Sequence, residues 1–177
     1  MPAFRAISLV PFQATAATQP FSCSASIRLE GGLLVLDYTI SGPLQDLILP
    51  AAAASPCFTP ELWQHSCCEC FLRQTDMKNY TEWNFSPCGN WWACAFDDYR
   101  APSDKQPPGM QPQHLELRRQ ERLLTLSTAI ACPPVPRLRI GPALILQHAG
   151  GSRSHWAMQH PGRAPDFHHA GTCACIL

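Results

Sequence analysis

Cys67-Cys68-Glu69-Cys70-Phe71-Leu72-Arg73, Tyr80-Thr81-Glu82-Trp83-Asn84-Phe85-Ser86 and Trp91-Trp92-Ala93-Cys94-Ala95-Phe96-Asp97-Asp98-Tyr99 are the three segments whose reading decides the fold. Gln74 to Asn79 is a polar turn and Pro87-Cys88-Gly89-Asn90 a tight one, so the segments read as an antiparallel meander. Pairs across an antiparallel hairpin keep a constant index sum. With Arg73 opposite Tyr80, Phe71 faces Glu82 and Glu69 faces Asn84; with Ser86 opposite Trp91, Asn84 faces Ala93 and Glu82 faces Ala95. One surface then carries Glu69, Phe71, Tyr80, Glu82, Asn84, Trp91, Ala93 and Ala95, and the other Cys68, Cys70, Leu72, Trp83, Phe85, Trp92, Cys94 and Phe96. The second set is apolar throughout and is expected in the core. The first sets two carboxyls and an amide beside aromatic rings above two small alanines. Such a surface forms a shallow groove in which polar groups bind hydroxyls and rings stack on the apolar face of a sugar. An ordinary solvated sheet face is the alternative reading of the same residues.

Outward from the meander the chain keeps the rhythm of strands and turns. Phe21, Cys23, Ala25, Ile27 and Leu29 alternate up to Gly31-Gly32, and Leu33 to Ile40 follows, which predicts a hairpin closed by Ser41-Gly42-Pro43. Leu44 to Leu49 reads as a third strand and Pro50 to Pro60 as a surface loop. Ala101 to Pro112 carries four prolines and a glycine and reads as a loop; Leu115–Arg119 and Leu123–Ala131 form another hairpin; Cys132 to Pro136 is a connection. Ala143–His148 and His155–His160 flank the Gly150-Gly151 turn, and Cys173–Leu177 is a last short strand. With no internal repeat and no domain boundary, residues 1–177 read as one all-β domain, an antiparallel sandwich or jelly roll of about ten or eleven strands.

Composition bounds the function. Thirteen basic and 13 acidic side chains give zero formal net charge, so no field gathers nucleic acid or an anionic membrane. No run approaches the ~18 apolar residues that span a bilayer, and Ala6 to Phe12, interrupted by Pro11, is a weak secretory signal, so a soluble cytoplasmic protein is expected. Eighteen prolines and only 15% charged residues suit short strands and turns rather than surface helices. Ten cysteines, two of them adjacent and several inside apolar strand patterns, are expected to serve as reduced, small buried residues.

The segments Leu62-Trp63-Gln64-His65-Ser66-Cys67-Cys68-Glu69-Cys70, Glu82-Trp83-Asn84-Phe85-Ser86-Pro87-Cys88-Gly89 and Trp156-Ala157-Met158-Gln159-His160, followed by Pro165-Asp166-Phe167-His168, resemble the bacterial DOMON-like domains related to family-nine carbohydrate-binding modules. The family pattern has a Leu-Trp pair, a Cys-x-Glu strand, Glu-x-Asn-Phe-Ser-Pro-x-Gly, and a late Trp-Ala-x-x-His before Pro-Asp-Phe-His, and the blocks run here in that order. The resemblance implies a β-sandwich and a non-catalytic module class that elsewhere holds sugars or haem. A small-molecule ligand, most plainly a sugar, is expected on Glu69, Glu82, Asn84 and Trp91, with Arg100, Trp156, His160, Asp166 and His168 contributed from the rim. Trp63, Trp83 and Trp92 are expected in the core.

The same residues bear on other chemistries. Haem needs a methionine or histidine in a deep apolar cleft, and Met158 with His160, two apart on one strand, cannot reach opposite sides of one iron. Glu69 and Glu82 sit diagonally, roughly 5 to 8 Å apart, within the carboxyl separations of glycosidases, yet an open sheet face offers little desolvation to raise one into the general-acid range. Cys67 and Cys70 point to opposite strand faces and do not chelate one zinc. Calcium on Asp97, Asp98 or Asp166, and a homodimer formed through an exposed edge strand, complete the expectations; no cofactor is otherwise required.

Overall fold

The computed structural model describes residues 4–106, 110–132 and 137–176, and twelve strands form among them. They are β1 (Phe4–Pro11), β2 (Ser22–Glu30), β3 (Leu33–Ser41), β4 (Cys67–Gln74), β5 (Tyr80–Phe85), β6 (Trp91–Asp98), β7 (Ala101–Pro102), β8 (His114–Arg119), β9 (Leu123–Ala131), β10 (Leu138–Gln147), β11 (Arg153–Ala157) and β12 (Cys175–Ile176). One layer runs β1-β2-β3-β9-β8. The other runs β7-β6-β5-β4-β10-β11, with β12 also on β10. β1 joins the two, pairing with β2 over Phe4–Leu9 and with β11 at Val10 and Pro11. All of these strand ladders are antiparallel, and the layers close on a core that takes Ile27, Leu36 and Leu126 from one and Cys70, Phe85 and Leu144 from the other. The chain is an all-β antiparallel sandwich. No helix among the described residues is long and apolar enough to cross a membrane.

Three segments differ from their sequence reading. Leu44 to Leu49 is not a strand: Leu44–Asp46 forms a 3-10 turn after Pro43, and only Leu47 bridges to His148. The buried leucines there, Leu44 and Leu47, are three apart, a helical spacing that alternation misreads. The apolar run near the start is β1, with Leu9 buried between exposed Ser8 and Val10. β10 begins five residues before Ala143, where the sequence reading started it, and runs through Gly141-Pro142. These two residues fall between the stretch paired with β12 (Arg139, Ile140) and that paired with β11 (from Ala143), so the proline breaks no ladder on that side. Gly141 is needed for space, because a Cβ there would lie 2.9 Å from Cys173 Sγ. The connections at 107–109 and 133–136 lie outside the described residues.

One buried contact ties the layers together beneath the meander. Tyr38 of β3 is fully buried, and its hydroxyl donates 2.6 Å to the main-chain oxygen of Glu69 on β4. Tyr38→Phe keeps the ring but removes the donor, and is expected to cost about 1–3 kcal/mol in urea unfolding. A loss below about 0.5 kcal/mol would show that the bond contributes nothing net.

Candidate functional site

β4 and β5 hold the expected register: Phe71 pairs with Glu82 and Glu69 with Asn84, which puts both carboxyls on the layer's outer surface. β6 does not. Its ladder pairs Phe85 with Trp91, Asn84 with Trp92 and Glu82 with Cys94, one residue away from the register expected from the sequence. The cause is the turn, where the Ser86 amide donates to the Asn90 oxygen and Gly89 adopts a φ of 97°. Ser86 therefore faces Asn90, and the loop is the three-residue kind that ends in a left-handed glycine. A slip of one residue exchanges the faces of a whole strand. Trp92, Cys94 and Phe96 consequently join Glu69 and Glu82 outside, while Trp91 and Ala93 pack on the main core.

That outer surface is roofed rather than open. The 3-10 turn Leu62–Gln64 brings Leu62 and Trp63 over it, and the segment after β11 brings Phe167 and Cys173, forming a second apolar cluster with Phe71, Tyr80, Phe96 and Ile145. Within the cluster lies a cavity of about 400 Å³, lined by Glu69, Glu82, Arg100, His155 and His168 and by the rings of Trp63, Phe71, Trp92, Phe96 and Phe167. Trp63 meets Trp92 edge to face, with ring centroids 4.9 Å apart.

The polar groups are held by named partners. Asn84, fully buried behind the carboxyls, donates from Nδ2 to Glu82 Oε1 at 2.8 Å, and the Cys67 thiol donates to Glu69 Oε1 at 3.2 Å. The Arg100 amide donates to the Tyr80 hydroxyl oxygen, 3.1 Å away, so the hydroxyl proton is available to His168 Nδ1 at 2.7 Å. The ring proton of His168 then sits on Nε2, 3.5 Å from Glu82 Oε2. Asp166 ties the roof to the sheet: Oδ1 accepts from the His168 amide and from Arg100 Nη2 (3.0 Å), and Oδ2 from the Tyr99 hydroxyl. Arg100 reaches this position with a φ of 52°, a strained conformation for a non-glycine residue that the surrounding contacts must enforce.

Glu69 is 2% exposed and Glu82 4%. Burial raises the Glu82 carboxyl to about 7, moderated by the Asn84 hydrogen bond and the Arg100 charge. Burial, reinforced by the charge of Glu82 and opposed by the Cys67 hydrogen bond, lifts Glu69 well above the carboxylate range. Burial and the Arg100 charge push His168 down to about 4, against the pull of Asp166. Burial tends to raise Asp166 itself, but hydrogen bonds from Tyr99 and Arg100 hold it below the usual value. The expectation of an open face with little desolvation is thus corrected: the C-terminal segment and Trp63 cover both carboxyls.

Of the residues singled out from sequence, Glu69, Glu82, Arg100 and His168 line the cavity, Asn84 orients Glu82 from behind, and Asp166 anchors Arg100 at the rim. Three lie elsewhere. Trp91 faces the main core because of the register just described. Trp156 is 3% exposed in that core, its indole N–H donating to Ser154 Oγ, because alternation along β11 turns it inward. His160 lies beyond the end of β11 and donates from Nε2 to the Val10 oxygen, packed on Phe12. Met158 and His160 therefore share no strand, and Met158 packs on the main core. Trp63 and Trp92, expected in the core, are cavity walls; a correct count of the Pro87-Cys88-Gly89 loop would have found Trp92, but no local signal marks Trp63 or Phe167.

Cys67 and Cys70 lie on opposite faces in different apolar clusters. Asp98 pairs with Lys78 and Asp166 with Arg100. Among the described residues no group of three or more histidine, cysteine, aspartate or glutamate side chains is placed to hold a metal ion.

No family model matches the chain, and no curated protein does. Among solved structures it is similar to one described as "a putative carbohydrate-binding protein from Bacteroides uniformis ATCC 8492", with a TM-score of 0.62, 12% sequence identity, and coverage of 97% of this chain and 84% of that one. At that identity the likeness is one of fold, and the fold it shares with this chain is the antiparallel β-sandwich.

Proposed function

We propose that this chain is a DOMON-like, non-catalytic module that binds a carbohydrate in the cavity between the β4-β5-β6 meander and the segment following β11. The observation that carries this reading is the joint lining of one cavity by two indoles and two buried carboxyls. Flat apolar rings stack on the face of a sugar ring, and carboxyl groups bind its hydroxyls. A volume of about 400 Å³ lies in the range of small-molecule sites. The family resemblance of the Cys67–Glu69 and Glu82–Gly89 segments, and the carbohydrate-binding description of the structural neighbour, support the same assignment.

Isothermal titration with a panel of mono- and disaccharides tests the reading. Trp92→Ala is expected to weaken binding at least tenfold, whereas Trp91→Ala, one residue away but facing the main core, leaves affinity within about twofold. Equal losses in both variants, or a panel in which no saccharide binds the parent protein at millimolar concentration, would overturn it.

A further inference from the structure

Deepening the carbohydrate reading on which it rests, we propose that the cavity selects a sugar bearing a protonated amine, whose ammonium group pairs with Glu69 and Glu82. The argument begins with what these carboxyls lack. Glu82 is held by an amide and stands beside a histidine, and Glu69 accepts one thiol hydrogen bond; among the described residues neither forms an ion pair with lysine or arginine, and Arg100 acts on Glu82 only through its charge. Both carboxyls line the cavity although Glu69 is only 2% exposed and Glu82 4%. A buried carboxyl without a counter-charge is costly to ionise.

The cations nearby are already engaged. Arg100 lines the cavity but bonds Asp166 at 3.0 Å. Arg73, on the Glu69 strand, stacks 4.3 Å over the Tyr80 ring and donates to the main-chain oxygens of Lys78 and His168. Arg139 on β10 donates to the Cys173 oxygen. The remaining titratable groups facing the pair are Cys67 on β4, Tyr80 on β5, Cys94 on β6, His155 on β11 and His168 from the roof. Burial lowers both histidines, so at neutral pH they bring no charge. The cavity therefore holds two acids, no uncommitted base, and walls of aromatic rings.

An ammonium ion fits those features together. It brings a positive charge to the two carboxyls, donates to their oxygens, and is attracted to the faces of the surrounding rings. The sugar ring stacks as before, while anionic sugars meet two acids and are excluded. The proton balance follows: a protonated carboxyl that meets R–NH3+ becomes carboxylate paired with ammonium, and its proton passes to solvent. Burial has placed Glu82 near 7 and raised Glu69 well above the carboxylate range, so protons remain to be released at pH values below neutral.

Calorimetry at pH 5.5 and 6.5, in two buffers of different ionisation enthalpy, tests this with four probes: glucosamine, glucose, N-acetylglucosamine and choline. Glucosamine is expected to bind at least tenfold tighter than the two neutral sugars, to release about half a proton or more, and to gain affinity at the higher pH, since its amine is charged at both. Glu69→Gln, checked for folding by thermal melting, is expected to shrink the ratio of glucosamine to glucose affinity at least fivefold and to lower the proton release, leaving the share that Glu82 contributes. Equal binding of glucosamine and glucose without proton release would overturn the amine inference and leave the carbohydrate reading standing. Choline binding with proton release while all sugars are silent keeps the ammonium site and removes the sugar; silence of all four probes removes both.

Discussion

Replacing Glu82 by glutamine is expected to make the protein more stable above pH 7, on the order of 3 kcal/mol, while abolishing the pH dependence that this carboxyl imposes. In the folded chain Glu82 holds its proton up to about pH 7, whereas unfolded it releases it near the ordinary value of 4.5. Below pH 4.5 both states are protonated and the group is neutral to stability in comparison with glutamine. As pH rises from 4.5 to 7 only the unfolded state gives up the proton, so parent stability is lost across that window and the variant's is not. His168 works in the opposite direction. Its folded value of about 4 lies below 6.5, so the unfolded state alone binds a proton between those limits and stability rises with pH there. The two slopes oppose each other between about 4.5 and 6.5, and Glu69, raised in the same sense as Glu82, adds to the decline at higher pH. Urea unfolding at half-unit intervals from pH 4 to 9 checks this: the two proteins should coincide near pH 4.5 and diverge steadily to pH 7. Parallel curves would mean that Glu82 titrates as an ordinary carboxylate. A residue that lowers stability at working pH yet lines a cavity fits a site shaped for a ligand rather than for the fold.

Phe85→Ala should be the most damaging of the single changes considered, costing about 3–5 kcal/mol. Phe85 is fully buried in the main core, lies 6.3 Å from the Trp83 ring in a stacked orientation, and pairs across the strands with Cys68 and Trp91. Truncation opens a void beside strand side chains such as Cys68, Trp83 and Trp91, which cannot close it without shifting the ladder. For a chain of this size the loss corresponds to a fall in Tm of roughly 10 °C. Phe58→Ala, at an exposed phenylalanine, serves as the control and should change stability by less than about 0.5 kcal/mol. A loss below about 1 kcal/mol in Phe85→Ala would mean that the core face of β5 has been wrongly assigned. Because β5 alternates, the same result would also displace Glu82 and Asn84 from the site.

The strands themselves were legible wherever one face is apolar and the other is not. β2, β3, β4, β5, β8 and β9 lie close to the bounds that alternation predicts, because burial on one side imposes the period of two. Leu44–Asp46 and the beginning of β10 were not legible: a short leucine pair spaced by three and a Gly-Pro inside a strand are settled by their neighbours. For the site, the carboxyls were legible because Glu69 and Glu82 sit on strands with unambiguous pairing. The aromatic walls on β6 were not, since their face depends on a single residue of loop length that Gly89 decides through its backbone conformation.

From the order of residues alone came the sandwich, the zero net charge and the common face of Glu69 and Glu82, because each follows from local periodicity and charge count. Only the tertiary structure decided that this face is a covered cavity. Trp63 lies before the meander in sequence, and Pro165, Phe167 and His168 lie 67 to 70 residues after its last strand, and nothing local says that they fold over the same strands. That cover is what buries the carboxyls, raises their proton affinity and turns a sheet surface into a site, since desolvation depends on what packs above a group and not on its sequence neighbours.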